Sequence, residues 1–359
     1  MAIQKITVEE FLLHAKTYPV FDVRSPGEYN HAHIKSAFSL PLFSDDERKV
    51  VGTTYKQQGK QKAIKIGIEY FGPKMKSFVE TVEQVLQTLP VSNNAENILN
   101  QQPVVLIHCW RGGMRSGAIA WLLDLYGFKV YSLAGGYKAY RNWVSKQFEI
   151  EREINLVGGY TGSGKTYLLD ELTKQGHSVI DLEALAHHKG SAFGALGMEP
   201  QPSAEMFENL LAEALHETKP GSPCWLEDES QRIGVLNIPT PFWKIMRTRP
   251  LFFLEIPFRE RLKHIMAEYG RHLKEQLINC VIRIQKRLGP LETKMVVSSL
   301  IEDNYAEAFT ILLSYYDKTY EKSLNNRENP AVWLNKIECT SVDTVPNTAK
   351  LLSCASITS

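Results

Sequence analysis

Paired cysteines, long apolar runs and a sizeable net charge are all missing from this sequence of 359 residues. The five cysteines are widely spread and none forms a C-x-x-C pair, which argues against disulfides and a structural zinc site. No stretch approaches the ~18 apolar residues that a membrane helix needs, and acidic residues interrupt the N-terminus where a signal peptide would be apolar. These absences predict a soluble cytoplasmic protein, long enough for two domains.

The formal net charge of +1 hides an uneven distribution of charged residues. Residues 48–76 hold eight Lys or Arg against one acidic residue, and residues 244–287 hold eleven against four. Clustered cations bind polyanions because neutralising phosphates releases counterions. Both stretches fit an RNA partner, with Lys56 and Lys62 as candidate contacts, and they fit a solvated helical surface equally well.

Apolar runs of strand length alternate with helical stretches along the whole chain. Residues 104–108 and 129–133 predict strands, and residues 115–126 predict the helix between them. Another strand is predicted at 154–157, followed by a helix from Lys165. This alternation is typical of parallel sheets covered by helices, so the predicted fold class is α/β throughout.

The charged stretch around position 150 marks the predicted boundary between two α/β domains. We place a first parallel-sheet domain at residues 1–148 and a second α/β domain at 149–335, with the basic helical region inside the second. Residues 336–359 end in small polar residues and are predicted to form a C-terminal tail.

The first candidate site is a glycine-rich loop between a predicted strand and a predicted helix, which reads His-Cys-Trp-Arg-Gly-Gly-Met-Arg-Ser over residues 108–116. Amide dipoles at the start of a helix and nearby guanidinium groups favour a thiolate. Arg111 and Arg115 supply the guanidinium groups, and the same amides can bind an oxyanion. We therefore predict that Cys109 is a nucleophile and that the other four cysteines are apolar packing residues.

The second candidate site is a P-loop, G-x-x-x-x-G-K-T, at residues 159–166. Its backbone amides and its lysine are spaced to cradle a diphosphate, and the final threonine can ligate Mg²⁺ if that ion is used. The predicted diphosphate-binding residues are Gly159, Gly162, Ser163, Gly164, Lys165 and Thr166.

Two carboxylates follow apolar runs of the second half, where P-loop proteins often place a metal-organising group. Asp181 and Asp228 are the candidates, and spacing does not choose between them; both also suit helix caps or ion pairs. The adjacent His187 and His188 face different sides of an element and have no third ligand nearby, so no protein metal site is predicted. No firmly bound cofactor is expected.

The first half resembles a rhodanese domain through FDVRSPGEY at 21–29, the Cys109 loop and GGYKAY at 135–140. That resemblance implies sulfur or selenium carried on the loop cysteine. The loop departs from many rhodaneses in having five residues, not four, between Cys109 and Arg115, which widens the anion pocket. His-Cys-x-x-Gly-x-x-Arg also matches the phosphatase signature, so a cysteine-dependent phosphatase stays an alternative.

Over most of residues 20–260 the sequence resembles the tRNA 2-selenouridine synthases, in which a rhodanese domain precedes a P-loop domain. DLEALA at 181–186, GSAFG at 190–194 and EDES at 227–230 carry this resemblance together with the two loops. It implies a transferase that replaces sulfur by selenium at the wobble 2-thiouridine and binds the tRNA anticodon arm. Lys189 departs from the arginine expected there and loses bidentate phosphate geometry.

The resemblance further implies a reaction in two stages. Geranyl diphosphate alkylates the sulfur, which makes carbon 2 electrophilic, while the P-loop and Lys165 hold the diphosphate. Cys109 then takes selenium from selenophosphate, with Arg111 and Arg115 on its phosphate portion. A nucleotide-gated tRNA-binding module without catalysis is the other alternative, and the cysteine loop argues against it.

Overall fold

The computed structural model describes residues 3–89, 102–219, 221–325, 327 and 333–358. The chain divides into two compact units, residues 1–147 and 148–359. Each unit is built on a five-stranded sheet in which every pair of neighbouring strands is parallel, with helices between the strands, so the predicted α/β class is confirmed. Within the described ranges, no helix is long and apolar enough to cross a membrane.

The first unit has its strands in the order β1-β5-β4-β2-β3. The middle strand, β4, is almost wholly buried, as its unbroken apolar sequence requires, and it points the cysteine loop out of the centre of the sheet. The strands are β1 Gln4–Ile6, β2 Val20–Asp22, β3 Phe38–Ser39, β4 Val104–His108 and β5 Lys129–Leu133.

Helices of the first unit begin at clear capping signals. The side chains of Thr7 and Ser44 each accept from a backbone amide three residues on, while a glutamate there returns the bond. Apolar residues of the fifth and sixth helices pack with the sheet into one core. The helices are α1 Val8–Ala15, α2 Pro26–His31, α3 Asp45–Gln58, α4 Lys60–Phe71, α5 Met75–Thr88, α6 Met114–Tyr126 and α7 Gly136–Gln147.

The second unit has strand order β12-β11-β6-β8-β7, with the P-loop strand β6 in the middle, and a separate antiparallel pair formed by β9 and β10. Its strands are β6 Ile154–Gly159, β7 Ser178–Ile180, β8 Cys224–Glu227, β9 Arg232–Ile233, β10 Leu236–Asn237, β11 Leu251–Glu255 and β12 Leu334–Glu338. Its helices are α8 Lys165–Lys174, α9 Leu182–Ala186, α10 Ala204–His216, α11 Thr240–Arg247, α12 Phe258–Tyr269, α13 Lys274–Leu288, α14 Pro290–Ile301, α15 Tyr305–Asn325 and α16 Thr344–Thr358.

The expected C-terminal tail at 336–359 is wrong for the part that the structure describes. Strand β12 pairs along its whole length with β11, and α16 packs against α8. Leu351 and Ala355, four residues apart, are buried in the same core as Leu168 and Leu169. The apolar residues of α16 follow helical spacing, so one face of the helix is buried in this core although the sequence between them is small and polar.

Candidate active site

The cysteine loop is held by the start of α7. A Cβ atom at Gly136 would lie 2.3 Å from the carbonyl oxygen of Cys109 and 2.4 Å from the amide nitrogen of Gly112, and its φ is +61°. Glycine is therefore required there. The amide of Tyr137 donates to the Cys109 carbonyl at 2.8 Å, so α7 fixes the loop against the sheet.

The Cys109 thiol is surrounded by hydrogen-bond donors. Its side chain is only 3% exposed, and Sγ lies 3.2 Å from the Ser116 hydroxyl. Burial alone would raise the pKa of Cys109, but the Ser116 hydroxyl and the amides of Ser116, Arg111 and Gly113 outweigh it, and the pKa is lowered. The surroundings thus favour the thiolate that a nucleophile needs.

Other buried cysteines show the opposite behaviour. Burial raises the pKa of Cys224 to about 12, and burial also raises the pKa of Cys280 and of Cys339. These side chains lie in or beside the cores as apolar packing residues, as the sequence predicts. Burial does not therefore separate the two kinds of cysteine; the number of donors around the sulfur does.

The two arginines of the loop have different surroundings. Arg115 donates to both carboxylate oxygens of Glu28, at 2.7 and 3.4 Å, and Arg48 contacts the same carboxylate at 3.0 Å. Burial would raise the pKa of Glu28, but the hydrogen bond and charge of Arg115 lower it to about 2. Arg111 is exposed and has no ion pair among the described residues. Arg111 is therefore the arginine available to an incoming anion, and Arg115 is anchored.

A buried ion pair lies beneath the loop. Arg24 donates to Asp22 at 2.6 Å and to the carbonyl of Ala32 at 2.6 Å, and its guanidinium lies 3.7 Å from the ring centre of Tyr137. Burial lowers the pKa of His108, which precedes the cysteine, to about 4. His108 is consequently neutral near pH 7 and contributes no positive charge to the thiolate.

The P-loop is clamped from α12. Gly162 has φ +81°, and a Cβ there would lie 2.7 Å from Cγ1 of Ile265 and 3.0 Å from the carbonyl oxygen of Arg261. The buried Arg261 donates to the carbonyl of Thr161 at 3.1 Å and pairs with both oxygens of Asp317, at 2.9 and 2.7 Å. Sequence reasoning missed Arg261, because no motif marks a residue that acts across 100 positions of chain.

The predicted diphosphate-binding residues come together around one pocket of about 530 Å³. Lys165 donates through Nζ to the carbonyl of Gly159 at 3.2 Å. The buried hydroxyl of Ser163 has no hydrogen-bond partner in the described part of the chain. An ammonium group and an unsatisfied hydroxyl at a helix start are suited to phosphate oxygens. Lining the pocket are Gly159, Gly162, Ser163, Gly164, Lys165 and Thr166.

The two candidate aspartates occupy different positions. Asp181 caps α9, its Oδ1 accepting from the amide of Ala184 at 2.6 Å. Asp228 lines the P-loop pocket and accepts from the hydroxyl of Tyr320 at 2.8 Å and from Arg327. Of the two, Asp228 is thus the one that faces the phosphate site.

Two further carboxylates, missed by sequence reasoning, line the same pocket. Burial raises the pKa of Glu229 well above its ordinary value, and burial also raises that of Glu183, against the opposing charge of Lys165. A hydrogen bond joins Glu183 and Glu229, and the charge of Glu183 adds to the rise in the pKa of Glu229, so this part of the pocket resists carrying two full negative charges. The sequence did contain one indication of Glu229, which belongs to the acidic EDES segment and lies two residues beyond the end of β8.

Further cationic side chains lie in the P-loop pocket and on the surface of the first unit. Lys189, where an arginine was expected, lines the P-loop pocket and pairs with Glu268; Arg287 of α13 lines it as well. Lys56 on α3 and Lys62 on α4 are exposed and form no ion pair within the described residues. The same described residues contain no group of three His, Cys, Asp or Glu side chains that could hold a metal ion.

Comparison with known proteins assigns both units to domain families. Residues 7–142 match the rhodanese-like domain, and residues 152–341 match the AAA domain of tRNA 2-selenouridine synthase. The molecule is therefore a rhodanese-like domain followed by a P-loop domain, as the resemblance implied.

Relatives matched over most of their length make the assignment specific. A tRNA 2-selenouridine synthase of Nitrosomonas europaea is 33% identical over 81% of this chain and 73% of its own, and one of Hydrogenovibrio crunogenus is 32% identical over 87% and 91%. A crystallised N-terminal domain from Clostridium difficile 630 is 44% identical over 39% of this chain and 98% of its own, with a TM-score of 0.32. The chain belongs to the tRNA 2-selenouridine synthase family.

Proposed function

We propose that this protein is a transferase that replaces sulfur by selenium at the wobble 2-thiouridine of tRNA, in the cytoplasm, through an S-geranyl intermediate. The observation that carries the proposal is the pairing, in a member of this family, of a cysteine whose pKa is lowered with a P-loop pocket. A nucleophilic sulfur and a diphosphate cradle are the two devices that this chemistry needs.

The P-loop performs the first stage. The thiocarbonyl sulfur attacks carbon 1 of geranyl diphosphate, the carbon–oxygen bond breaks, and the electron pair leaves on the diphosphate. Lys165, Ser163 and the loop amides stabilise that growing charge. Thr166 and Asp228, which both line this pocket, would hold Mg²⁺, and geranylation measured with and without a chelator tests that role.

Cys109 performs the second stage. Transfer of selenium to the thiolate itself would require a two-electron oxidant, so selenium of selenophosphate attacks carbon 2 directly, and geranyl thiolate leaves with the electrons of the C–S bond. The Cys109 thiolate then attacks phosphorus beside Arg111, an S–P bond forms, and the Se–P bond breaks with its electron pair on selenium, which yields 2-selenouridine. Water attacks the phosphorus of the S-phosphocysteine, and phosphate leaves as the Cys109 thiolate is restored.

A nucleoside assay tests the function directly. The protein is incubated with a 2-thiouridine anticodon stem-loop, geranyl diphosphate, selenophosphate and a thiol, and digested nucleosides are weighed by mass spectrometry. We expect 2-selenouridine from the wild type, and S-geranyl-2-thiouridine to accumulate with Cys109→Ala. Release of phosphate from an aryl phosphate with no change in the RNA would instead identify a phosphatase, and binding without any product would identify a binding module.

A further inference from the structure

A second large pocket lies beside the cysteine loop and is unlike the P-loop pocket. It measures about 780 Å³, within the range of small-molecule sites, and is formed by α3, α4 and the first turn of α6. Its walls are mainly apolar and include Phe43, Val51, Ile64, Ile68, Phe71 and Met114.

Several apolar side chains of this pocket are exposed. Ile68 is 61% exposed, Met114 54%, Tyr55 49% and Ile64 38%. Folded proteins rarely leave contiguous apolar surface in water without a use for it, because its burial is favourable. The lining therefore indicates a ligand with an apolar part.

Cations surround the same pocket. Lys49 and Lys56 of α3 line it, are exposed, and form no ion pair within the described residues. Arg48 and Arg115 also line it, but both are tied to Glu28. An apolar pocket bordered by unpaired lysines suits a ligand that combines a hydrocarbon chain with phosphate groups.

The pocket and the thiol share the start of α6. Met114, Arg115, Gly117 and Ala118 line the pocket, and the Ser116 hydroxyl among them lies 3.2 Å from the sulfur of Cys109. Five consecutive helical residues rise only about 6 Å. An apolar chain held here would keep the group attached to it within a few ångströms of the cysteine loop.

We propose that this pocket binds the geranyl chain of S-geranyl-2-thiouridine in RNA, while Lys49 and Lys56 contact the neighbouring phosphates. This inference rests on the proposed function, because the intermediate is a product of its first stage. The geranyl group thus has a second binding site, which it occupies after its transfer from the diphosphate. Binding there presents carbon 2 of the nucleobase to Cys109. The geranyl group would then have two roles: it leaves with the sulfur, and before that its apolar chain allows the protein to recognise the intermediate.

Affinity for two otherwise identical RNAs tests the pocket without requiring catalysis. Fluorescence anisotropy gives Kd for one stem-loop with 2-thiouridine and for the same stem-loop with S-geranyl-2-thiouridine, using the full chain without selenophosphate. We expect the geranylated RNA to bind at least about tenfold more tightly, as burial of several methylene groups requires. Ile68→Ser and Ile64→Ser should remove most of that difference and leave the 2-thiouridine RNA unchanged.

Control variants distinguish binding of the geranyl group in the pocket from unspecific changes in RNA affinity. Leu125 on α6 is 65% exposed and lies outside the pocket, so Leu125→Ser should keep the full difference. Lys56→Ala should weaken the binding of both RNAs to the same extent. Because Ile64 and Ile68 are exposed, their substitution leaves the core intact, which a thermal melt verifies.

Equal affinity of the wild type for the two RNAs, or a difference that survives both isoleucine substitutions, would overturn the pocket assignment. Binding of the wild type to phosphatidylglycerol vesicles with no preference between the RNAs would overturn it too and would assign the pocket to a membrane surface. Conversion of the geranylated RNA to 2-selenouridine is measured in parallel. If conversion is absent, the proposed function fails; if it proceeds without the affinity difference, only the pocket inference fails.

Discussion

The cysteine loop and the P-loop are built in the same way but are equipped for opposite tasks. Both connect a central parallel strand to a helix, and in both a glycine with positive φ is required by close packing. In the first, the amides and the Ser116 hydroxyl point at a charge that the protein itself carries, on sulfur. In the second, Lys165 and the buried Ser163 hydroxyl face a pocket suited to the charge of a ligand.

The pockets extend this contrast. The space beside the cysteine is apolar with lysines at its border, whereas the P-loop pocket is lined by charged groups and tyrosines. In both cases the turn from strand to helix supplies amide dipoles. The side chains around the turn determine whether these dipoles stabilise a nucleophile or a leaving group. Substitutions confined to one loop should therefore affect one stage of the reaction and spare the other.

The largest effect is expected for Cys109→Ala. Loss of the nucleophile should reduce 2-selenouridine formation by about 10³-fold or more, while geranylation proceeds at the wild-type rate. Time courses of both nucleosides by mass spectrometry measure this. Cys280→Ala is the matched control, since that cysteine only fills a core, and a similar loss of selenation in it would point to misfolding instead of chemistry.

Lys165→Ala should have the next largest effect and in the other stage. Removing the ammonium group from the diphosphate site should slow geranylation by about 10²–10³-fold. Lys174→Ala, at the exposed end of the same helix, should leave the rate unchanged. An unaltered rate in Lys165→Ala would show that the P-loop does not hold the diphosphate.

A smaller effect is expected for Ser116→Ala, which tests how the thiolate is stabilised. The Ser116 hydrogen bond lowers the pKa of Cys109, so its loss should raise that pKa and slow alkylation of Cys109 at pH 7 by roughly fivefold, the equivalent of one hydrogen bond. The pH profile of Cys109 alkylation by iodoacetamide measures the shift, with modified residues located by peptide mass spectrometry. Cys224 serves as an internal standard, because burial raises its pKa to about 12 and it should not react below pH 8.

The smallest effect is expected for Glu28→Gln, and it concerns stability. Glu28 has a pKa of about 2 in the folded protein and about 4.3 unfolded, so its contribution is complete above pH 5 and is lost as pH falls toward 2. The variant should be about 1–3 kcal/mol less stable at pH 7, a difference that shrinks by pH 3. Urea unfolding at the two pH values measures it, with the exposed Glu9→Gln as control. If the difference in unfolding free energy between wild type and Glu28→Gln were the same at both pH values, the charge of the carboxylate would not contribute to stability.

Much of this arrangement was predictable, because it is local. The sequence places a strand at 129–133, where β5 lies, and a helix at 115–126, one residue short of α6, since apolar periodicity and the glycine after Tyr126 mark them. The loop motifs located Cys109 and Lys165 for the same reason. Each signal is contained within about ten residues of chain.

What could not be predicted depends on distant partners. Nothing near Arg115 indicates that Glu28, 87 positions earlier, holds it, and nothing near the P-loop indicates the clamp by Arg261. The carboxyl pair of Glu183 and Glu229 likewise forms only when α9 and the end of β8 meet. Helix α16 was missed for a different reason. Its small polar residues suggest a frayed end, and its contact with α8 is apparent only in the folded structure.

The division of labour between the two loops is tested most directly by bypassing the first stage. A stem-loop that already contains S-geranyl-2-thiouridine is given to Lys165→Ala and to Cys109→Ala with selenophosphate and a thiol, and 2-selenouridine is measured over time. The account predicts that Lys165→Ala converts this RNA at the wild-type rate and that Cys109→Ala does not convert it. Failure of Lys165→Ala on the geranylated RNA, or conversion by Cys109→Ala, would contradict it.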